Sequence, residues 1–283
     1  MKQGDLNNFI DEMKDAMYAL GDVVLDNQGR VRNLKKDVRH LPNDNDFIKQ
    51  ERAAKTILDE KVQEGLLQVA SKCLNPSEVY LDAEEETPTR GIFSPVPRSL
   101  ALVIDPIDGT LRYLSGDDGF SVCVGLIEDG IVTASLVYFP ARKEFYFTKD
   151  GHVYCEQRNK SLKRLSAPER KNGLSIYMNS RITGKPAEDL RAQGFRLTDD
   201  ADGSISWPDG LIGCMQGLYE ACIFHTPQIR DILLGAMISK IAGGYACDWQ
   251  EKPIVWPNGG RISRIAFGFH PKPSELFFCL AGA

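Results

Sequence analysis

The feature that most constrains the fold of this chain is an apolar run, Leu100–Ile104, that ends in Asp-Pro-Ile-Asp-Gly-Thr, residues 105–110. A short apolar run bounded by turn residues predicts a buried strand, and the Pro and Gly predict a turn after it. Two carboxylates three residues apart in such a place repel each other, and burial strengthens the repulsion. Because a divalent cation between Asp105 and Asp108 would relieve it, the hexapeptide indicates a metal site.

Composition argues against several classes of function. The chain has 283 residues, 42% hydrophobic and 26% charged, as in a globular protein of one large or two ordinary domains. A net charge of −5 without a cluster of Lys and Arg argues against nucleic-acid binding. We also expect no membrane segment and no signal peptide. The seven cysteines form no C-x-x-C pair and lie mostly in apolar runs, so we expect reduced, packed thiols and a cytoplasmic protein.

The periodicity of apolar residues changes along the chain and predicts two domains. Helical spacing covers Asp5–Leu25 and Asp46–Cys73, and an antiparallel meander with Gly-containing turns covers 120–155. After a polar linker the pattern alternates between strands and helices. We therefore predict an N-terminal α+β domain with an antiparallel sheet at 1–165 and a C-terminal α/β domain at 166–283. In the second domain we expect strands at 174–178, 217–224 and 263–269 and helices at 185–193, 228–242 and 273–280.

Three more acids draw attention because of where they stand. Glu84 and Glu85 follow a predicted short strand, and acids at the ends of neighbouring strands converge in one crevice of an α/β sheet. A solvated acidic loop is the alternative. Asp231 opens a predicted helix, where capping and the helix dipole alone would account for an acid.

In this order the motifs resemble those of the inositol monophosphatase family of lithium-sensitive, Mg²⁺-dependent phosphomonoesterases. Relatives include the 3′-phosphoadenosine nucleotidases and fructose-1,6-bisphosphatase. The family pattern is a Glu-Glu pair, then Asp-Pro-Ile/Leu-Asp-Gly-Thr/Ser, then Trp-Asp. Here these are Glu84-Glu85, residues 105–110 and Arg230-Asp231, with spacings of 21 residues from Glu84 to Asp105 and 123 from Asp108 to Asp231. Arg230 departs from the family's Trp.

The resemblance implies a layered αβαβα sandwich of the sugar-phosphatase type with two or three Mg²⁺ ions. Glu84, Asp105 and the Ile107 carbonyl would hold one ion, and Asp105, Asp108 and Asp231 a second. A third ion would sit mainly on Glu84 and waters. The N-terminal domain would thus supply most of the ligands, and the C-terminal domain would supply Asp231.

The resemblance also implies roles in catalysis. Asp108 and the amides of Gly109 and Thr110 would bind the substrate phosphate, and the Thr110 hydroxyl would orient or deprotonate a water. The family pairs this Thr with an Asp from a Val-Thr-x-Ala-Asp segment on the second helix. We match that segment to residues 47–51, so Glu51 would supply the carboxylate.

The activity implied is Mg²⁺-dependent hydrolysis of a small phosphate monoester, such as an inositol-phosphate-like sugar or polyol phosphate. A 3′(2′),5′-bisphosphate nucleotidase and a fructose-1,6-bisphosphatase are alternatives. An alternative from another functional class is a catalytically weak homologue with a regulatory or binding role. Arg230 and Glu51, which differ from the family's Trp and Asp, motivate this alternative. The partner expected is a small phosphate ester, not nucleic acid or membrane. Because family members are often dimers, a homodimer stays open.

Overall fold

The structure is a computed structural model that describes residues 1–36, 46–158, 162–169, 175–178, 184–199, 207–225, 235, 237–248, 252, 254 and 264–269. The chain divides into two compact units, Met1–Arg164 and Leu165–Ala283. The predicted helix 273–280 and most of the predicted helix 228–242 lie outside the described residues.

Among the residues described, the first unit has four α-helices: α1 (Gln3–Asp26), α2 (Asp46–Ala53), α3 (Ile57–Cys73) and α4 (Thr110–Ser115). The prediction of one helix over residues 46–73 was wrong, because the chain breaks between α2 and α3. Thr56 ends the break as the N-cap of α3: its hydroxyl accepts the backbone N–H of Leu58, and the Asp59 carboxylate accepts the backbone N–H of Thr56. This capping box satisfies donors that a helix start leaves open.

A seven-stranded sheet in sequence order, β1 to β7, lies in the first unit apart from Leu165, the last residue of β7. Its strands are β1 (Val79–Ala83), β2 (Leu100–Asp108), β3 (Ser121–Glu128), β4 (Ile131–Phe139), β5 (Glu144–Lys149), β6 (His152–Gln157) and β7 (Lys163–Leu165). β1 and β2 are parallel, and β2 through β6 pair antiparallel, which confirms the predicted meander. The β3–β4 and β5–β6 turns are the dipeptides Asp129-Gly130 and Asp150-Gly151, all four residues with positive φ. Asp-Gly favours such turns, which match the twist of a hairpin.

A hydrophobic core packs between this sheet and helices α1 and α3. The helices contribute fully buried residues at helical spacing, among them Met13, Met17 and Leu66, and β3 contributes Val122 and Val124. Each such side chain stabilises the fold by roughly 1.5–3 kcal/mol relative to an exposed one. The core therefore holds α3 firmly against the sheet, which is the frame on which the candidate site is built.

The second unit contains a five-stranded sheet in the order β11-β12-β10-β8-β9. Its elements are β8 (Ser175–Met178), α5 (Lys185–Ala192), β9 (Arg196–Asp199), α6 (Trp207–Met215), β10 (Ala221–His225), β11 (Tyr245–Asp248) and β12 (Arg264–Gly268), and residues 237–241 are helical. β8, β9 and β10 are parallel, and β12 is antiparallel to β10 and β11. The predictions missed β9, α6 and β11, and residues 217–220 precede β10 rather than belong to it.

Candidate functional site

The end of strand β2 carries a β-bulge that places two acids at the sheet edge. Asp105 pairs with Cys123 and Asp108 with Ser121, so β2 spends one residue more than β3 over this step. Bulges re-aim side chains next to active sites, and a bulge is one of the few sheet positions that tolerates a Pro such as Pro106. The carboxylates of Asp105 and Asp108 are buried, at 4% and 9% exposure. The turn thus brings two buried acids together on one strand.

The neighbouring strand delivers Glu84 to the same edge. β1 runs parallel to β2, and its last residue, Ala83, lies opposite Ile104. Glu84 is the first residue after β1, so it follows the carboxyl end of a strand that is parallel and adjacent to β2. The acidic stretch thus begins beside the strand that carries Asp105 and Asp108.

Gly109 makes the turn from β2 into α4. Its φ is +78°, in the left-handed region that favours glycine. A Cβ there would also lie 2.9 Å from the carbonyl oxygen of Gly119. A side chain at position 109 would thus be strained twice, so the chain requires glycine at this position to turn here.

Thr110 follows and lies between two acceptors. Its hydroxyl is 2.8 Å from the carbonyl oxygen of Ile107 and 3.1 Å from a carboxylate oxygen of Asp59. The other oxygen of Asp59 accepts both the backbone N–H and the hydroxyl of Thr56, each at 2.7 Å. Asp59 is therefore fixed at the start of α3 by its capping contacts while it also contacts Thr110.

Burial raises the pKa of Asp59 to about 6, although the hydrogen bonds from Thr56 and the positive charge of Lys36 act in the opposite direction. The side chain of Asp59 has no exposed surface. A carboxyl whose pKa is near neutrality can take up and release a proton at physiological pH, as a general base must.

Two lysines neutralise the acidic pair. The Lys36 ammonium is 2.5 Å from Glu84 and 2.8 Å from Glu85, and the Lys55 ammonium is 2.6 Å from Glu85. Burial alone would raise the pKa of Glu85 and lower that of Lys36, but these contacts outweigh it, so that the pKa of Glu85 is lowered and that of Lys36 is raised. The backbone N–H of Lys36 donates to Ala53 at 2.7 Å, which ties this lysine to the end of α2.

The predicted site residues fall into two groups. The structure brings Ile107 and Thr110 into contact. Asp105 and Asp108 lie on the same strand as Ile107, and Glu84 directly follows the adjacent strand β1. Asp231, together with Arg230, lies outside the described residues. Within the described part of the chain, no three His, Cys, Asp or Glu side chains form a group that could hold a metal ion. The full ligand set stays a prediction.

The carboxylate partner of Thr110 in the structure is Asp59, which the sequence analysis did not consider. Glu51 lies in α2, and its side chain is outside the description; its predicted role stays untested. A local signal for Asp59 exists, because Thr56-Ile57-Leu58-Asp59 reads as a capping box and has the Thr-x-x-Asp spacing of the family's segment. The contact itself joins residues 51 positions apart, which no local pattern reveals.

Two further expectations can be compared with the described residues. Cys73, Cys123, Cys155, Cys214, Cys222 and Cys247 carry free thiols, and four of them are buried, as expected of packed cysteines. No helix in the described ranges has both the length and the apolar character needed to cross a membrane.

Comparisons with known proteins place the fold. A sequence profile described as "Inositol monophosphatase family" matches residues 5–266. The 3′(2′),5′-bisphosphate nucleotidase CysQ of Salmonella typhimurium is 26% identical over 152 residues, which span 54% of this chain and 60% of CysQ. The chain thus matches less than two thirds of that relative.

Two solved structures share the fold at low sequence identity. The IMPase of Thermotoga maritima has a TM-score of 0.72 and 19% identity, and the alignment covers 98% of this chain and 97% of that one. An IMPase/NADP phosphatase complexed with Mg²⁺ and phosphate has a TM-score of 0.71 and 13% identity, with 94% and 92% covered. The predicted mixed α/β fold class is confirmed.

Proposed function

The chain belongs to the inositol monophosphatase family, and from that premise we propose that it hydrolyses a small-molecule phosphate monoester with the help of bound Mg²⁺. The observation that carries the proposal is the position of the Thr110 hydroxyl, held between Asp59 and the Ile107 carbonyl. The buried acids Asp105 and Asp108 lie on the strand that leads into this threonine.

The donors at the sheet edge suit Mg²⁺, which prefers oxygen ligands and keeps several waters. Glu84, Asp105, Asp108 and Asp231 would supply carboxylates and Ile107 a backbone carbonyl. When bound, the cation would lower the pKa of a water and offset negative charge on the phosphoryl group. Because the acids at the edge outnumber Lys36 and Lys55, added positive charge is also needed before a phosphate dianion can approach.

The residues of the chain supply the proton transfer. A hydroxyl has one hydrogen, and both neighbours of Thr110 are acceptors, so its lone pairs remain available to a water. When Thr110 donates to Asp59, its oxygen can accept a hydrogen from the attacking water, and Asp59 takes up the proton that is released. The water oxygen then bonds to phosphorus, and the bond to the leaving oxygen breaks with its electron pair on that oxygen. The leaving oxygen takes a proton from solvent to give the alcohol, and Asp59 later returns its proton to solvent, so that inorganic phosphate and an alcohol result.

A sugar or polyol phosphate is the first substrate candidate. The likeness to CysQ favours a second, a nucleotide with a 3′- or 2′-phosphate. A panel of inositol 1-phosphate, adenosine 3′,5′-bisphosphate and fructose 1,6-bisphosphate, assayed for released phosphate, separates these candidates.

The same assay tests the activity itself. We expect phosphate release that needs Mg²⁺, stops with EDTA and falls at least about 100-fold in Asp105→Asn and Asp231→Asn. Asp129→Asn, which changes an exposed acid in the β3–β4 turn, is the matched control and should keep full activity. Metal-independent release would contradict the proposal. Silence on every substrate by a chain that binds Mg²⁺ would favour a regulatory homologue.

A further inference from the structure

Both peptide groups that flank Glu84 are held by side chains, one from helix α3 and one from farther along the β1–β2 loop. The carbonyl oxygen of Ala83 belongs to the first peptide and accepts a guanidinium N–H of Arg90 at 2.8 Å. The backbone N–H of Glu85 belongs to the second and donates to the side-chain oxygen of Gln63 at 2.7 Å. The orientation of a peptide on each side fixes φ and ψ of the residue between. The backbone of Glu84 is thus set by Arg90 and Gln63.

Of these two side chains, Gln63 makes the shorter hydrogen bonds to the loop backbone. Its side chain has no exposed surface, and its amide nitrogen donates to the carbonyl oxygen of Glu85 at 2.5 Å while its oxygen accepts from the Glu85 N–H. One donor and one acceptor in a single planar group are what this pair of backbone atoms needs. An ionised carboxylate can only accept, and a thioether of the same length can do neither well.

The helix that carries Gln63 also carries Asp59. The two residues are four apart on α3, so they lie on one face, one turn from each other. Asp59 contacts Thr110 and Gln63 contacts the loop of Glu84. One rigid helix, packed into the core, therefore sets the distance between the proton acceptor and the first acid of the sheet edge.

We propose that Gln63 is a positioning residue for a divalent cation, acting through the backbone of Glu84. The inference deepens the proposed function and rests on it. When a residue that orients a metal ligand by hydrogen bonding is replaced, metal affinity typically falls 10- to 100-fold. Loss of the Gln63 clamp should therefore weaken cation binding about tenfold or more, while the proton transfer through Asp59 and Thr110 stays intact.

The test measures Mn²⁺ binding to the full chain, and the readout is the decrease in the electron paramagnetic resonance signal of free Mn²⁺. We expect Gln63→Met to weaken binding at least about tenfold, and Gln63→Glu, which keeps only the acceptor, to weaken it less. In steady-state assays of these variants, the Mg²⁺ concentration that gives the half-maximal rate should rise as Mn²⁺ binding weakens. The kcat at saturating Mg²⁺ should change little. Glu64→Gln is the control: Glu64 accepts from the backbone N–H of Thr89 at 3.0 Å, farther along the same loop, and binding should stay within about twofold.

The outcomes separate the two proposals. If the unmodified chain binds no Mn²⁺, the proposed function falls and this inference falls with it. If it binds Mn²⁺ and Gln63→Met binds equally well, or if Glu64→Gln weakens binding as much, only the inference is overturned. Should Gln63→Met fail to fold, Arg90→Met replaces it, since Arg90 is half-buried and holds the other peptide. Unchanged binding in Arg90→Met and Gln63→Glu would then overturn the inference.

Discussion

Asp59 and Glu85 are both buried carboxyls within one site, yet their pKa values move in opposite directions. Two ammonium groups, from Lys36 and Lys55, lie within 2.8 Å of Glu85 and lower its pKa despite burial. Asp59 faces the hydroxyls of Thr56 and Thr110 instead, and burial raises its pKa to about 6.

Since both acids are buried, it is the presence or absence of a lysine ion pair that determines which of them stays ionised and which can exchange a proton. Glu85 stays ionised and anchors two cations beside Glu84. Asp59 makes no such ion pair with any residue that the structure describes, and it can exchange a proton near neutral pH. Pairs of acids whose environments push their pKa values apart are the usual sign of separate structural and acid–base roles.

Removing the base should have the largest effect. Asp59→Asn keeps the shape of the side chain and an acceptor for the Thr56 cap but cannot take up a proton. We expect kcat at saturating Mg²⁺ to fall at least about 100-fold. Glu51→Gln is the matched comparison and should stay within about twofold if Asp59 is the base. A full rate in Asp59→Asn would contradict this account, and a large loss in Glu51→Gln would restore the role that the sequence predicted.

The pH dependence of stability should sharpen the same contrast. The Asp59 pKa is higher in the folded protein than its ordinary value of 3.8, so the folded state binds more protons between pH 4 and about 6. Stability must then fall as pH rises through that window, by up to about 3 kcal/mol from this group. In urea unfolding in EDTA, the stability of the unmodified chain relative to Asp59→Asn should fall with this slope. Parallel curves for the two proteins would contradict the raised pKa.

Removing a cation from Glu85 should have a smaller effect. In Lys55→Met the Glu85 carboxylate keeps only Lys36, so its pKa should rise and the protein should lose about 1–3 kcal/mol of stability at pH 7. Adding Glu85→Gln should restore part of the loss. Lys149→Met, which breaks a surface pair with the exposed Asp11, should cost less than about 1 kcal/mol. Equal losses in the two lysine variants would show that burial of the pair is unimportant.

The sequence predicted well what local chemistry decides. The meander was predicted within a few residues because alternating side chains and the Asp129-Gly130 and Asp150-Gly151 turns act over short distances. The β2–α4 turn was predictable for the same reason, because Pro106 suits a strand bulge and Gly109 suits a positive φ. β9 and β11 were missed because each has only four residues and few large apolar ones, whereas β8, which is equally short, contains Ile176, Tyr177 and Met178.

The sequence predicted poorly what tertiary contacts decide. Apolar spacing continues from α2 into α3, so periodicity hides the break, and only the Thr56–Asp59 capping box marks it. The pairing of Asp59 with Thr110, and the contacts of Gln63 with the Glu85 backbone, follow from how α3 packs on the sheet. Each residue alone resembles an ordinary polar position of a helix or loop.

The central claim is that Asp59 is a buried base poised near neutrality while Glu85 is not. The most direct measurement is a titration of both side-chain carboxyls by ¹³C NMR in the metal-free protein. We expect a pKa of about 6 for Asp59 and a pKa below the ordinary range for Glu85. An Asp59 carboxyl that titrates near 4, like an exposed acid, would contradict it.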